Sequence, residues 1–493
     1  MSLRLGVMRG ALSLASGNMA ANVLAAAALL ILARLLTPED FGIVAIATAI
    51  LSVVQSCTEL SLNNALIQKE KVDRSHIDTA WTMAVIRSLA ICAIFALAAW
   101  PLALVYDNDE LVLVFLVSGL GGAIMGLQNP KIWLQTKQMS FGPLVTAQFL
   151  RRALGLILAV VLALILRSYW AIILGTFIGA LASTVISYFL VPYRPRPSLV
   201  HVREIWSFSG WMFLSQIFET LNWRIDQLII GLAVPKGQLG IYAMADSVAV
   251  IPTRETMHPI RFALFPGLAN ISRDHDRLCQ SHLRSQSTIA MLIAPLGLGL
   301  ALVAEPAVEL ALGSQWTAAT PYVQIFAIVY MMGVFSIGLH PVAMSLNRTR
   351  VLFFRQAIAF GIKLPAIVAG LMTGGMLGAA IGRLCSDIAA ALIEIFFLKR
   401  LLGIPMLRQL SQHALTFVGL AAMSVAVLLV GELVPRGQTP LLVELLVKIA
   451  TGALAYGGVI VGAWAGFGRP EGPVRIIVDA IAHFRSRKTP SVI

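Results

Sequence analysis

Three arginines, Arg224, Arg254 and Arg261, interrupt long apolar stretches of this chain. A charged side chain deep in a membrane helix costs about 3 kcal/mol or more unless it faces a cavity or a partner, so such residues mark function by default. Guanidinium presents forked, permanently charged donors that match phosphate oxygens, which points to an anionic, phosphate-bearing ligand. On an unbroken helix Asp246, Arg254, His258 and Arg261 fall within about 120° of one face. In the preceding apolar stretch Gln216, Glu219, Asn222, Asp226 and Gln227 share a face, with Arg224 at its flank. Asn18 and Asn22 stand four residues apart, and Ser52, Gln55, Glu59 and Asn63 form a stripe further on. Neutral groups of this kind suit a ligand rich in hydroxyls.

Each of these residues also has a plainer reading. Arg224 could pair with Asp226 or Glu219, and Arg254 with Glu255, only to neutralise charge. Arg261 could lie near a helix end and snorkel. Amides also bind membrane helices to one another. The acids Glu59, Asp226 and Asp246 are candidates for binding a proton or a cation that drives turnover, Glu59 unless it lies too close to the helix end. Arg383 and Asp387 read as an intrahelical ion pair at i, i+4. Arg151, Arg152 and Lys363 are further intramembrane charges, and Arg87 and Lys448 read as snorkelling side chains. Cys57, Cys92, Cys279 and Cys385 have no metal-type spacing and read as buried free thiols. No phosphate-binding loop, Ser/His/Asp grouping or metal-ligand cluster is present, so no cofactor, metal or covalent catalysis is expected.

The elements that must carry these residues are membrane helices. Of 493 residues, 58% are hydrophobic and 12% charged, whereas soluble chains run near 25% charged. The apolar blocks have the length needed to cross a hydrocarbon core of about 30 Å, roughly 20 residues or more. Strict alternation, the mark of a transmembrane barrel, is missing from stretches such as 154–166 and 292–302. Fourteen spans are expected, at 11–33, 41–66, 79–105, 111–130, 143–166, 169–191, 206–233, 239–266, 286–311, 319–346, 351–373, 376–398, 411–431 and 441–467. The first is too long for a secretory signal and reads as an uncleaved span.

The net charge of +13 is distributed by topology and does not indicate nucleic acid. The N-terminus, the even-numbered loops and the tail hold about 24 basic residues, while the opposite loops hold only Arg34, Arg167, Lys236 and Arg436. The positive-inside rule then puts both termini in the cytoplasm. All loops are short. A glycan ligase or polymerase of the membrane needs a large external segment to hold its acceptor, so transport is the leading class and an enzyme the rival.

The chain repeats itself. Pro38-Glu39-Asp40-Phe41-Gly42-Ile43-Val44-Ala45-Ile46-Ala47 opens the second span, and Pro235-Lys236-Gly237-Gln238-Leu239-Gly240-Ile241-Tyr242-Ala243-Met244-Ala245 opens the eighth. With one inserted residue the Pro, Gly, Ile and two Ala positions coincide. Six spans separate the copies, so the repeat is parallel, and two six-helix bundles around a central cavity are expected. The boundaries are 1–192 and 206–400 for the bundles, 411–467 for two additional helices and 468–493 for a cytoplasmic tail.

These residues also carry a resemblance. The stretch Ala33-Arg34-Leu35-Leu36-Thr37-Pro38-Glu39-Asp40-Phe41-Gly42, then Asn64-Ala65-Leu66-Ile67-Gln68, Gly240-Ile241-Tyr242 and Phe265-Pro266 resemble the polysaccharide-transporter (Wzx-like) flippases. That family lies in the superfamily of multidrug exporters, lipid II flippases and oligosaccharidyl-lipid flippases. The resemblance covers the first twelve spans. It implies alternating access by an inner-membrane protein on an undecaprenyl-diphosphate-linked oligosaccharide, for exopolysaccharide or O-antigen/lipopolysaccharide biosynthesis. Arg224, Arg254 and Arg261 would then hold the diphosphate, while Asn18, Asn22, Gln55, Asn222 and His258 would meet the sugars. Membrane lipids surround such a protein, and a polysaccharide polymerase and glycosyltransferases are its expected partners. A cation-coupled multidrug antiporter of the same superfamily is the alternative transporter, although its cavity would be acidic and aromatic rather than basic.

Overall fold

The computed structural model describes residues 3–59, 72–137, 142–202, 210–256, 268, 271–433, 439–466 and 474–475. It is an all-helical polytopic membrane fold. The principal helices are α1 (Leu3–Leu35), α2 (Pro38–Cys57), α3 (Arg74–Val105), α4 (Glu110–Gly126), α5 (Gly142–Leu166), α6 (Trp170–Leu190) and α7 (Gly210–Ala233). They continue with α8 (Lys236–Ala249), α9 (His275–Leu302), α10 (Thr320–Val334), α11 and α12 as two arms of Thr349–Leu402, α13 (Ala414–Leu433) and α14 (Leu441–Gly466). Leu97, Phe189 and Met372 are each about 80% exposed on outward faces, a pattern that belongs in lipid rather than in water. That environment also corrects the reading of the thiols. Cys57 and Cys385 are exposed, and Cys92 and Cys279 are partly so, because a helix face turned to lipid accepts a thiol as readily as a core does.

Local chemistry fixes where the helices start. Thr37 caps α2: its hydroxyl accepts from Asp40 N, while Asp40 Oδ2 accepts from Thr37 N at 2.9 Å, a reciprocal capping box. Pro38 occupies the first turn, where its missing N–H costs nothing. The second carboxylate oxygen of Asp40 accepts from Tyr169 N at 2.8 Å, which ties the start of α2 to the turn before α6. The motif Thr37-Pro38-Glu39-Asp40-Phe41-Gly42 is thus a helix start that also anchors a neighbouring loop.

Its glycine does something else. A Cβ built on Gly42 would stand 2.0 Å from the carbonyl oxygen of Lys236, and one built on Gly240 would stand 1.7 Å from that of Pro38. The two copies of the sequence repeat therefore meet, each glycine admitting the backbone of the other copy.

Glycine also builds the hairpin of α11 and α12. The chain reverses at Gly374 and Gly375, the latter at φ +61° and ψ −147°, a conformation that needs glycine. Gly370 faces Gly378, and Gly382 faces Ala366, so closely that any side chain there would strike the opposite backbone. The break falls where the sequence separates the eleventh and twelfth spans.

Two expected spans are not continuous. The eighth changes after Ala249 into a π segment, Ile251–Glu255, because Pro252 has no N–H to continue the α ladder. A π turn resets the angular register, so counting 3.6 residues per turn no longer places Asp246 on the face of Arg254. The tenth breaks at 335–338 between Val334 and Leu339.

By contact the chain divides into two compact units, 1–243 and 244–493. In the first, the segment after α6 is strapped along α3. Tyr193 donates to the Asp78 carboxylate, which also accepts from Arg196 N at 3.1 Å, and Ser198 N donates to Thr82 Oγ1 at 2.9 Å. Burial, reinforced by the adjacent Asp78, raises the Tyr193 phenol above its usual range, so it remains the donor throughout the physiological range. Tyr193→Phe removes a hydrogen bond to a buried carboxylate, and about 1.5–3 kcal/mol of stability should go with it. Thermal melting of the purified variant checks this. In the second unit α13 and α14 pack on α9, with Tyr456 donating to the Met291 carbonyl at 2.7 Å.

Candidate functional site

Asn18, Arg254, His258 and Arg261 lie outside the residues whose side chains are described, as does Asn63. The remaining candidates divide between the two units.

In the first unit Asn22 Oδ1 accepts from Arg152 Nη1 at 2.6 Å, so this amide satisfies a donor of an intramembrane guanidinium. Gln55 lines a mostly apolar cavity of about 90 Å³ between α2, α4 and α6, with Thr48, Ser118 and Thr176. Glu59 is paired with Arg87 at 2.8 Å, and Arg87 also donates to the Gln55 carbonyl at 3.1 Å. Arg87 is therefore an ion-pair partner and not a snorkelling side chain, because the end of α2 brings a carboxylate within reach. Lys448 is corrected in the same way. Its ammonium lies 2.5 Å from Glu444, one turn back on the same face, where neutralisation costs less than a long reach to water.

On α7 the Arg224 guanidinium lies 4.3 Å from the centre of the Trp223 ring and donates to Gln227 Oε1 at 3.1 Å. Asn222, one residue before that tryptophan, is partly buried. Asp226 is fully buried and accepts from Tyr242 OH at 3.0 Å and from Gln227 N at 2.9 Å. It holds α7 against the first turns of α8.

The second unit contains a layer of charge inside its helices. Asp246 on α8 meets Arg383 on α12 at 2.8 Å and accepts from Tyr330 OH on α10 at 2.6 Å. Arg383 in turn donates to Tyr330 OH at 3.1 Å, and its guanidinium lies 4.5 Å from the centre of the Phe326 ring. Asp387 on α12 pairs with Lys363 on α11 at 3.3 Å and lies 3.7 Å from Arg383 Nε. Asp246, Lys363 and Arg383 are 6%, 6% and 3% exposed.

Two acids and two bases thus balance across α8, α11 and α12, with Tyr330 of α10 completing the layer. Counted at 1.5 Å per residue, Lys363, Arg383 and Asp387 lie about 12–18 Å along their helices from the Gly374–Gly375 turn. That depth is inside the hydrocarbon core. The i, i+4 pair of Arg383 and Asp387 is present, but each has a shorter contact elsewhere. Sequence reasoning missed Tyr330 and the link of Asp246 to Arg383. The available signal was two acids and two bases at matching depth.

Ionisable groups at that depth in a helical membrane protein mark a functional site by default. Residues 31–321 match the family described as polysaccharide biosynthesis protein, and the chain belongs to that family. It is 28% identical over 302 residues to the succinoglycan biosynthesis transport protein ExoT of Rhizobium meliloti, covering 60% of this chain and 61% of that protein. It is 24% identical over 382 residues to the lipopolysaccharide biosynthesis protein WzxC of Escherichia coli, covering 76% and 77%. Among solved structures, the inward closed lipid II flippase MurJ superposes with a TM-score of 0.73 at 14% identity, covering 92% of this chain and 99% of MurJ. The chain is accordingly a multi-pass membrane transporter of polysaccharide biosynthesis in the MurJ fold, and not an enzyme.

Proposed function

We propose that this protein flips undecaprenyl-diphosphate-linked oligosaccharide repeat units across a bacterial inner membrane, for exopolysaccharide or O-antigen biosynthesis. The observation that carries the reading is the buried charge layer of Asp246, Arg383, Asp387 and Lys363, in a chain whose relatives are named for polysaccharide transport and biosynthesis. Two bundles, 1–192 and 206–400, alternate in opening, and both termini face the cytoplasm. Arg224, Arg254 and Arg261 hold the diphosphate, and Asn18, Asn22, Gln55, Asn222 and His258 meet the sugars. Asp246 couples turnover to a proton or cation by exchanging its partner, with Glu59 and Asp226 as further acids in the pathway. The polymerase and glycosyltransferases of the same pathway are its partners.

Reconstitution tests this directly. Vesicles holding the purified chain and a polyprenyl-diphosphate-linked glycan in the inner leaflet should expose the glycan to an external lectin faster than empty vesicles. Equal rates with folded protein would overturn the reading. Arg254→Gln and Arg261→Gln should each stop the flipping, and normal rates in both would remove the diphosphate assignment. A phosphatase fused after Ile493 should be inactive, because that end is placed in the cytoplasm.

A further inference from the structure

The strap that follows α6 lies along the part of α3 that passes through the lipid headgroups. Helix α3 has 32 residues, about 48 Å at 1.5 Å per residue. Its outward apolar face runs from Ile86, 52% exposed, to Val105, 61% exposed. That stretch is about 30 Å long and matches the hydrocarbon thickness. The turns before it, from Arg74 on, therefore cross the headgroup layer, and there residues 76–80 are all buried.

Contacts along the strap set its depth. The Arg194 carbonyl accepts from Arg74 Nη2 at 3.2 Å, at the outer end of α3. Ser198 N reaches Thr82 Oγ1 at 2.9 Å, two turns further in and about 6 Å short of Ile86. The chain then turns back. His201 Nε2 lies 3.1 Å from Ser75 Oγ, and its ring stacks on that of His76 with centroids 3.6 Å apart. Leu199 and Val200 thus mark the deepest point of a dip toward the hydrocarbon, and they are 57% and 78% exposed. Pro192, Pro195 and Pro197 hold the strap extended and bring no N–H that needs a partner.

Charge completes the pattern. Arg194 and Arg196 are exposed at alternate positions of the strap. Asp78 beneath them is 6% exposed and is engaged by Tyr193, by Arg196 N and, at 3.8 Å, by the Arg74 guanidinium. The Arg194 and Arg196 side chains are left to set the charge of this surface.

We propose that the strap is a docking site for anionic phospholipids, with Leu199 and Val200 among the upper acyl chains and Arg194 and Arg196 on the headgroup phosphates. Guanidinium offers phosphate forked, charged donors. Apolar side chains flanked by cations hold a segment at an anionic membrane surface. A soluble anion would satisfy the arginines and leave Leu199 and Val200 bare, so the pattern selects a lipid.

A bimane fluorophore on Val200→Cys, in a whole chain freed of Cys57, Cys92, Cys279 and Cys385, tests the site in phosphatidylcholine nanodiscs. A minor share of the lipid is phosphatidylglycerol or phosphatidylcholine with a nitroxide quencher near the top of its acyl chain. At equal share the anionic lipid should quench several-fold more strongly. A cation at an anionic membrane surface raises affinity about five-fold, so Arg194→Gln with Arg196→Gln should bring the two lipids near parity. Arg194→Lys with Arg196→Lys should keep most of the preference. If the glutamine pair does not fold, the comparison of the two lipids on the unaltered strap decides. Equal quenching by both lipids means that the strap selects no headgroup, and quenching by neither puts its tip in water; each overturns the proposal. So does a preference that survives the glutamine pair. Loss of the preference to inorganic pyrophosphate at matched ionic strength would make this a site for a soluble anion and overturn it as well.

Discussion

Asp246→Asn should abolish polysaccharide export and lower the amount of protein in the membrane. The substitution leaves Arg383, 3% exposed, without the carboxylate that lies 2.8 Å away. Removing one member of a buried pair costs about 3–5 kcal/mol, and Asp387, 3.7 Å from Arg383 but already paired with Lys363, makes up only part of the lost charge. A membrane interior offers no water to relieve it. Arg383→Gln should be as damaging. The double change Asp246→Asn with Arg383→Gln removes both charges and should restore abundance without restoring export, because a neutral pair packs but exchanges neither a proton nor a cation. Tyr330→Phe loses only a hydrogen bond to the carboxylate, and its deficit should be the smallest of the series. Export measured against protein abundance separates stability from turnover. If Asp246→Asn exports normally at normal abundance, the charge layer has no part in transport.

The second large effect is expected where the repeated motifs touch. A methyl group on Gly240 would stand 1.7 Å from the Pro38 carbonyl oxygen, and one on Gly42 would stand 2.0 Å from that of Lys236. Ordinary contact between such atoms is about 3.5 Å, so either alanine forces two helix starts apart by more than an ångström. Overpacking of this kind costs about 1–3 kcal/mol, enough to shift the population of the touching state by roughly five- to 150-fold. A Cβ on Gly237 would stand 3.3 Å from Glu39 Cγ, so Glu39→Cys combined with Gly237→Cys reports that state by forming a disulfide. Gly240→Val should suppress the cross-link and export together. Undiminished cross-linking in that variant would mean that the two starts have room to spare and that the glycines are there for another reason.

How much of this could be read before folding depends on the range of each interaction. Helix starts and stops are local. Thr37 with Asp40, Pro38 at the first turn, and the pair Gly374–Gly375 announce themselves within a few residues, and the structure has a cap and a hairpin there. The polar character of α7 was also legible, because Asn222, Arg224, Asp226 and Gln227 interrupt an apolar run. Which helix an intramembrane charge meets is not local. A helical wheel gives the face of Asp246 but not the neighbour on that face, and Arg383 lies 137 positions further along the chain. Arg87 was misread for the same reason, its partner Glu59 lying just past the end of α2. Pro252 marks the disruption of the eighth span, but the break in the tenth was hidden by hydropathy, which averages over a window and is blind to four residues of turn.

The hairpin of α11 and α12 bears on how the protein is made. Lys363 and Asp387 sit on opposite arms and pair at 3.3 Å, while Gly370, Gly378 and Gly382 let the arms close backbone to backbone. A lysine or an aspartate entering the bilayer alone through the translocon faces a penalty of about 2.5–3.5 kcal/mol. Two arms that leave it together, already zipped by their glycines, carry Lys363 and Asp387 as a pair, with Arg383 held 3.7 Å from the same carboxylate. Biogenesis of this segment is therefore expected to be a single paired insertion event, completed before Asp246 and Arg383 have found each other.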